Sequence, residues 1–228
     1  MTSPATDQMP TRTVIGLVAA IATTDVLANV LLPDGAKLPV KLAIAAGYLL
    51  WARRSAGLSW SELGLGRADM GSGLRWGALA IAVVAGIVLL LVATSPSHFE
   101  DSSVAHDSTA VRYLEPLLLI PLQTVLFEEV IFRGVLLGVL LRWTQRGYAI
   151  GASAIVFGLW HLPPALHDAS GDGFAGGLGI VVGTITFTTI AGLIFGWLRL
   201  RSGSLLAPAL AHIASNSFAY VAAVIALQ

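Results

Sequence analysis

The sequence contains no cysteine, which excludes disulfides, thiolate metal sites and a cysteine nucleophile together. Charged residues make up only 11% of the 228 residues, whereas soluble domains carry about 25%. The 13 basic and 13 acidic residues balance, so no nucleic-acid partner is predicted. Hydrophobic residues make up 56% of the chain, and the mean hydropathy is +0.80. These proportions predict a multi-pass integral membrane protein, with the lipid bilayer as its immediate partner.

Apolar stretches of 15 to 29 residues recur along the chain, and most are long enough to cross a hydrocarbon core of about 30 Å. They predict an all-α fold, a polytopic transmembrane helix bundle of about seven spans around a polar intramembrane cavity. The predicted spans are residues 13–32, 38–52, 73–94, 113–141, 148–162, 178–198 and 204–226. Residues 1–12 are predicted to form a disordered polar tail. Residues 13–228 are predicted to form a single membrane domain, whose motif-bearing core is about residues 113–227.

Basic residues predict the orientation of the bundle, because short cytoplasmic loops are enriched in Lys and Arg. Arginines precede the first span and occupy every second connection after it, which places the N-terminus in the cytoplasm. Lys37 and Lys41, in the predicted loop between the first two spans, are the exception. The arginines are Arg12, Arg53, Arg54, Arg67, Arg75, Arg142, Arg146, Arg199 and Arg201.

The fourth predicted span carries Glu128, Glu129 and Arg133 in an otherwise apolar sequence. Each ionisable group at bilayer depth costs about 2.5–3.5 kcal/mol. Glu129 and Arg133 are four residues apart and share a helix face, so an ion pair is predicted. Glu128 points about 100° away from Glu129 and is free to face a cavity as a general base. The alternative interpretation is an ion pair that only packs helices.

Two later spans carry histidines. His161 follows Phe157 by one turn, just before Pro163 and Pro164, which are expected to end that helix. His212 and Asn216 share a face of the last span. The alternatives are an interfacial histidine for the first motif and polar contacts between helices for the second.

The three polar sites lie at similar predicted depths. At about 1.5 Å per residue, Glu128, His161 and His212 lie about 21, 22 and 16 Å from the nearest cytoplasmic arginines. Matching depth favours one shared cavity. Asp25 and Asn29, on one face of the first span, are a further candidate for a contact to this site or for a helix–helix bond.

The three segments resemble the motifs of the CAAX protease and bacteriocin-processing (CPBP) family of intramembrane endopeptidases, also called type II CAAX endopeptidases or Abi proteins. The family pattern is Glu-Glu-x-x-x-Arg, then Phe-x-x-x-His, then His-x-x-x-Asn. The sequence has all three, in order and on separate spans, over about residues 114–216. The matching residues are Glu128, Glu129, Arg133, Phe157, His161, His212 and Asn216.

The resemblance implies a peptidase in which Glu128 and His161 activate water. His212 and Asn216 would then stabilise the oxyanion, and Glu129 and Arg133 would orient the site. It also leaves open a metalloprotease, with zinc held by Glu128, His161 and His212 and an open fourth position. No other cofactor is implied, and the His-Glu-x-x-His motif of soluble zinc proteases is absent.

The leading functional hypothesis is therefore an intramembrane endopeptidase that hydrolyses a CAAX-type C-terminal tail, another peptide or a membrane-protein substrate. The first alternative is a non-catalytic membrane immunity or regulatory protein of the same fold. The second is a small proton-linked transporter, which the absence of internal sequence repeats disfavours.

Overall fold

The computed structural model describes residues 11–99, 104, 108–171 and 173–226. Within these ranges the regular structure is entirely helical, which confirms the predicted all-α bundle. The principal helices are α1 (Thr11–Leu31), α2 (Asp34–Arg54), α3 (Met70–Thr94), α4 (residues 109–143), α5 (Arg146–Trp160), α6 (Leu162–Asp168), α7 (Phe174–Ser202) and α8 (Leu206–Ala226).

Among the residues that the structure describes, five helical segments are long and apolar enough to cross a membrane. They are Thr11–Leu31, Arg67–Thr94, Arg146–Asp168, Phe174–Ser202 and Leu206–Ala226. Leucine, valine and phenylalanine side chains stand exposed along α3 and α7, as on Val83 and Phe187, which suits contact with lipid. The protein is therefore an integral membrane protein. Helices α2 and α4 are interrupted by charged residues, so the count of seven spans stays a prediction, as does the cytoplasmic N-terminus.

Helix α4 forms the centre of the bundle. Every residue from 127 to 140 is buried, because α2, α5, α7 and α8 all pack against this helix. A helix that is buried on all sides presents every side chain to protein. The charged residues of α4 therefore face other helices and not lipid.

Helix α4 departs from regular α-helical geometry over much of its length. Its segments Glu115–Leu126 and Val130–Leu136 are π-helical, and only three α-helical residues, Phe127–Glu129, separate them. Pro121 lies in the first π-helical segment and has no N–H to donate to the preceding turn. The two adjacent glutamates thus lie in a short α-helical segment between two π-helical segments. Such π-helical irregularities are frequent at functional sites.

The connection from α2 to α3 is fastened to the arginine-rich end of the bundle. Arg142 donates to both carboxylate oxygens of Glu62, at 2.7 and 2.9 Å. Arg199 donates to the carbonyl oxygens of Ser61 and Glu62. Gly64 adopts φ +76°, and a Cβ there would lie 2.3 Å from Nε of Arg199, so only glycine allows this close approach.

The predicted division of the chain is only partly covered by the described residues. Residues 1–10 of the predicted tail lie outside them, and α1 already includes Thr11 and Arg12. Buried side chains of α1, α2, α4 and α5 form one continuous hydrophobic cluster. The single membrane domain stays a prediction.

Candidate active site

The ion pair expected within α4 is present. Nη1 of Arg133 lies 3.0 Å from Oε1 of Glu129, and each side chain is only 1% exposed. The guanidinium carbon of Arg133 lies 4.0 Å from the ring centroid of Phe157 on α5 and 5.1 Å from that of Phe195 on α7. Stacking on two aromatic faces favours the buried cation and fixes it between three helices.

Glu129 also ties α8 to α4. Its Oε1 lies 3.0 Å from Nδ1 of His212, whose ring stacks on Phe195 at 4.8 Å between centroids. A carboxylate only accepts, so this contact requires the proton on Nδ1 of His212. In a neutral His212 ring, Nε2 is then the unprotonated nitrogen.

Glu128 has different neighbours from Glu129. Its Oε1 accepts a hydrogen bond of 3.1 Å from Nε1 of Trp160. Its Oε2 is buried without a hydrogen-bond partner among the described residues and lies 3.8 Å from Nε2 of His212. One carboxylate oxygen is thus fixed while the other remains available to accept a proton.

His161 lies at a break in the helix. Helix α5 ends at Trp160, two residues before the predicted end of that span at residue 162, and α6 begins at Leu162. Pro163 and Pro164 do not end helical structure; they occupy the first turn of α6, where their missing N–H groups cost nothing. His161 is half-buried, and its Nδ1 lies 2.9 Å from the carbonyl oxygen of Phe157. The Nε2 atom of His161 is not used in this contact.

The six candidate residues are not equally joined. Direct contacts link Glu128, Glu129, Arg133 and His212. His161 is connected to this group through the Phe157 ring, which packs against both histidines. Asn216 accepts a hydrogen bond of 3.3 Å from Ser215; among the described residues none joins it to either carboxylate.

The set proposed for zinc, Glu128, His161 and His212, is not assembled as a metal site. Within the described residues no three His, Asp or Glu side chains form a group that could hold a metal ion. The arrangement therefore does not fit a preformed zinc site, and zinc dependence stays a prediction.

Two residues at the site were not singled out from the sequence as site residues. Trp160 orients Glu128, and its position immediately before His161 was the available signal. Lys41, expected at the connection between the first two spans, is buried in α2, with Nζ 5.2 Å from the ring centroid of Phe127. Its proximity to the glutamates depends on packing between helices, which the local sequence does not specify.

The fold and these contacts define a class: a helical membrane protein with a buried carboxylate–histidine site built from three helices. Residues 111–218 match the family model described as Type II CAAX prenyl endopeptidase Rce1-like. All three motifs lie in the match, and helices α1 to α3 lie outside it. No curated protein and no solved structure matches the chain. The match covers somewhat less than half of the chain and agrees with the family resemblance that the three motifs predict.

Proposed function

We propose that this protein is an intramembrane endopeptidase in which Glu128 is the general base. The observation that carries the proposal is the asymmetry of the Glu128 carboxylate. Trp160 fixes Oε1, whereas Oε2 is buried, has no hydrogen-bond partner among the described residues and faces Nε2 of His212. A positioned, water-poor carboxylate with one free oxygen suits general-base catalysis.

The proposed reaction begins with a water molecule hydrogen-bonded to Oε2 of Glu128. The carboxylate takes one proton as the water oxygen attacks the carbonyl carbon of the scissile peptide bond. The tetrahedral intermediate then collapses, the C–N bond breaks, and the proton held by Glu128 passes to the leaving amine nitrogen. Each proton and electron pair is thereby accounted for without a co-reactant other than water.

The two histidines have separate proposed roles. His212, held by Glu129 at Nδ1, orients its Nε2 toward Glu128 and the attacking water. His161 acts with Glu128 on the water, as the family motif implies. Asn216, one helical turn beyond His212, is proposed as an oxyanion donor. His212 shares this role in its protonated form, in which Nε2 also carries a proton.

The Glu129–Arg133 pair is proposed to orient the site without reacting. Arg133 balances the charge of Glu129, and Glu129 in turn sets the orientation of His212. Glu128 instead accepts a hydrogen bond from the neutral Trp160 on α5. The two adjacent glutamates therefore carry different tasks.

The proposed substrate class follows from the family match to CAAX prenyl endopeptidases. It comprises peptides or membrane-protein tails cleaved near the C-terminus, including prenylated CAAX sequences. The apolar outer surface of the helices suits substrates held in the bilayer.

The test is proteolysis by the full chain in liposomes against a peptide library that includes prenylated tails. Glu128→Gln preserves shape but removes the base, so cleavage should fall about 10²–10⁴-fold while the protein remains folded. Asp34→Asn, at an exposed surface carboxylate, serves as the control and should retain activity. Full cleavage by Glu128→Gln would overturn the proposal. A chelator arm tests metal dependence separately.

A further inference from the structure

Helices α1 and α2 contribute a second buried polar cluster that the proposed mechanism does not use. Asn29 donates from Nδ2 to Oδ1 of Asp25 at 2.8 Å, and Lys41 donates from Nζ to Oδ1 of Asn29 at 2.9 Å. Asp25 is 6% exposed and Lys41 5%. The cluster thus holds a buried anion and a buried cation, bridged by one amide.

This cluster lies against the active site. Lys41 sits over the ring of Phe127, the residue that precedes Glu128, and α2 packs along α4. The end of α1 packs against α6, which begins directly after His161. Asp25 and Lys41 both lie within electrostatic range of Glu128, Lys41 with opposite and Asp25 with like charge, and Asp25 is also within range of His161.

The charges of the cluster complement those of the site. Glu129 has Arg133 as its cation, whereas within the described part of the chain Glu128 accepts its hydrogen bond from the neutral N–H of Trp160. Lys41 supplies a cation near Glu128, and Asp25 supplies an anion near His161. Asn29, bonded to both, fixes the separation of the two charges.

We infer that Asp25, Asn29 and Lys41 form a positioning network for the active site. In this network the charge of Lys41 orients Glu128, and the charge of Asp25 orients His161. The inference rests on the proposed peptidase function. The reacting groups all lie within residues 111–218. Their relative positions would then depend on α1 and α2, which lie outside the matched region.

A purely structural role predicts a different response to substitution. If the cluster only joins α1 to α2, removing both charges together should restore whatever a single substitution loses, because an apolar or neutral replacement of a buried ion pair is well tolerated. If the cluster positions the site, stability should recover in the double variant but catalysis should not.

The first experiment therefore compares Asp25→Asn, Lys41→Met and the double variant in the full-length protein. We expect each single variant to lower the melting temperature and the double variant to regain most of it. In the double variant kcat should remain about 10²-fold below wild type, with KM changed less than kcat. Lys37→Met, one turn earlier on α2 and paired with the exposed Asp34, is the matched control. Wild-type kcat in a stable double variant would overturn the inference.

The second experiment does not depend on activity. Lys41→Met is measured by thermal unfolding in the wild-type background and in the Glu128→Gln background. Lys41 is inferred to act on the Glu128 carboxylate. The loss of melting temperature caused by Lys41→Met should therefore be at least halved in the Glu128→Gln background. Equal losses in both backgrounds would overturn the inference. Coupling without any wild-type cleavage would instead contradict the proposed peptidase function.

Discussion

Gly158 is the position where a single added methyl group should disturb both the packing and the site. It lies in α5 directly after Phe157, where α5 contacts α7. A Cβ at this position would lie 2.0 Å from Oγ1 of Thr189 and 3.0 Å from the carbonyl oxygen of Ile185. Small residues permit such close contact between membrane helices, so Gly158→Ala must force α5 and α7 apart.

The expected cost follows from these two contacts. Thr189 has a short side chain that cannot swing far, and the carbonyl of Ile185 belongs to the helix backbone. Overpacking of this kind costs about 1–3 kcal/mol, while the better helix propensity of alanine returns up to about 1 kcal/mol. Gly158→Ala should therefore destabilise the protein by about 1–2 kcal/mol. It should also lower activity, because Phe157 and Trp160 flank the shifted segment.

The assay is reversible unfolding in detergent micelles, followed by helical circular dichroism. Gly151→Ala is the matched control, since it lies two turns earlier on α5 and its Cβ would meet nothing within 4 Å. Adding Thr189→Ala removes the closest contact and should recover part of the loss. Equal stability of Gly158→Ala and Gly151→Ala would refute the proposed contact between α5 and α7.

Three further predictions concern ionic and hydrogen-bonded contacts. Hydrogen bonding to Arg142 lowers the pKa of Glu62 to about 2, below its ordinary value; its stabilisation is therefore present above about pH 5 and lost as the pH falls toward 2. Glu62→Gln should flatten the melting temperature between pH 5 and pH 3, and an unchanged pH curve would contradict this. Arg133→Met should cost about 3–5 kcal/mol, because it leaves the buried Glu129 unpaired; adding Glu129→Gln should restore most of that stability in the same unfolding assay, and no restoration would exclude the ion-pair explanation. Trp160→Phe keeps an aromatic ring but removes the donor to Glu128, so it should lower kcat about 10-fold or more, given about 1.5–3 kcal/mol for a hydrogen bond to a charged group; unchanged kcat would argue against this orienting bond.

The class of fold and the central contact of the site were predictable from local sequence. Glu129 and Arg133 meet because four residues nearly complete one helical turn, and their cost in an apolar span requires mutual burial. Agreement in depth between Glu128 and His212 also followed from the rise per residue, and the structure places the two side chains 3.8 Å apart at Oε2 and Nε2.

Other contacts depend on how helices rotate about their axes, which composition does not specify. The bond from Trp160 to Glu128 requires a particular rotation of α5 against α4. The sequence interpretation places Lys41 at the connection between the first two spans, whereas α2 begins at Asp34 and places Lys41 in the bundle. The π-helical segments of α4 also change the directions in which its side chains point. A prediction based on 3.6 residues per turn does not include this change.

The net charge of the buried groups connects the two halves of the chain. Asp25, Glu128 and Glu129 bring three carboxylates, and Lys41 and Arg133 bring two cations. With ionised carboxylates and neutral histidines, these groups leave one surplus negative charge in the bundle. The proposed reaction requires the site to take a proton from water and hold it until the C–N bond breaks. Without Asp25 and Lys41, the site would keep the same net charge but lose the opposed charges that the inferred positioning network places near Glu128 and His161.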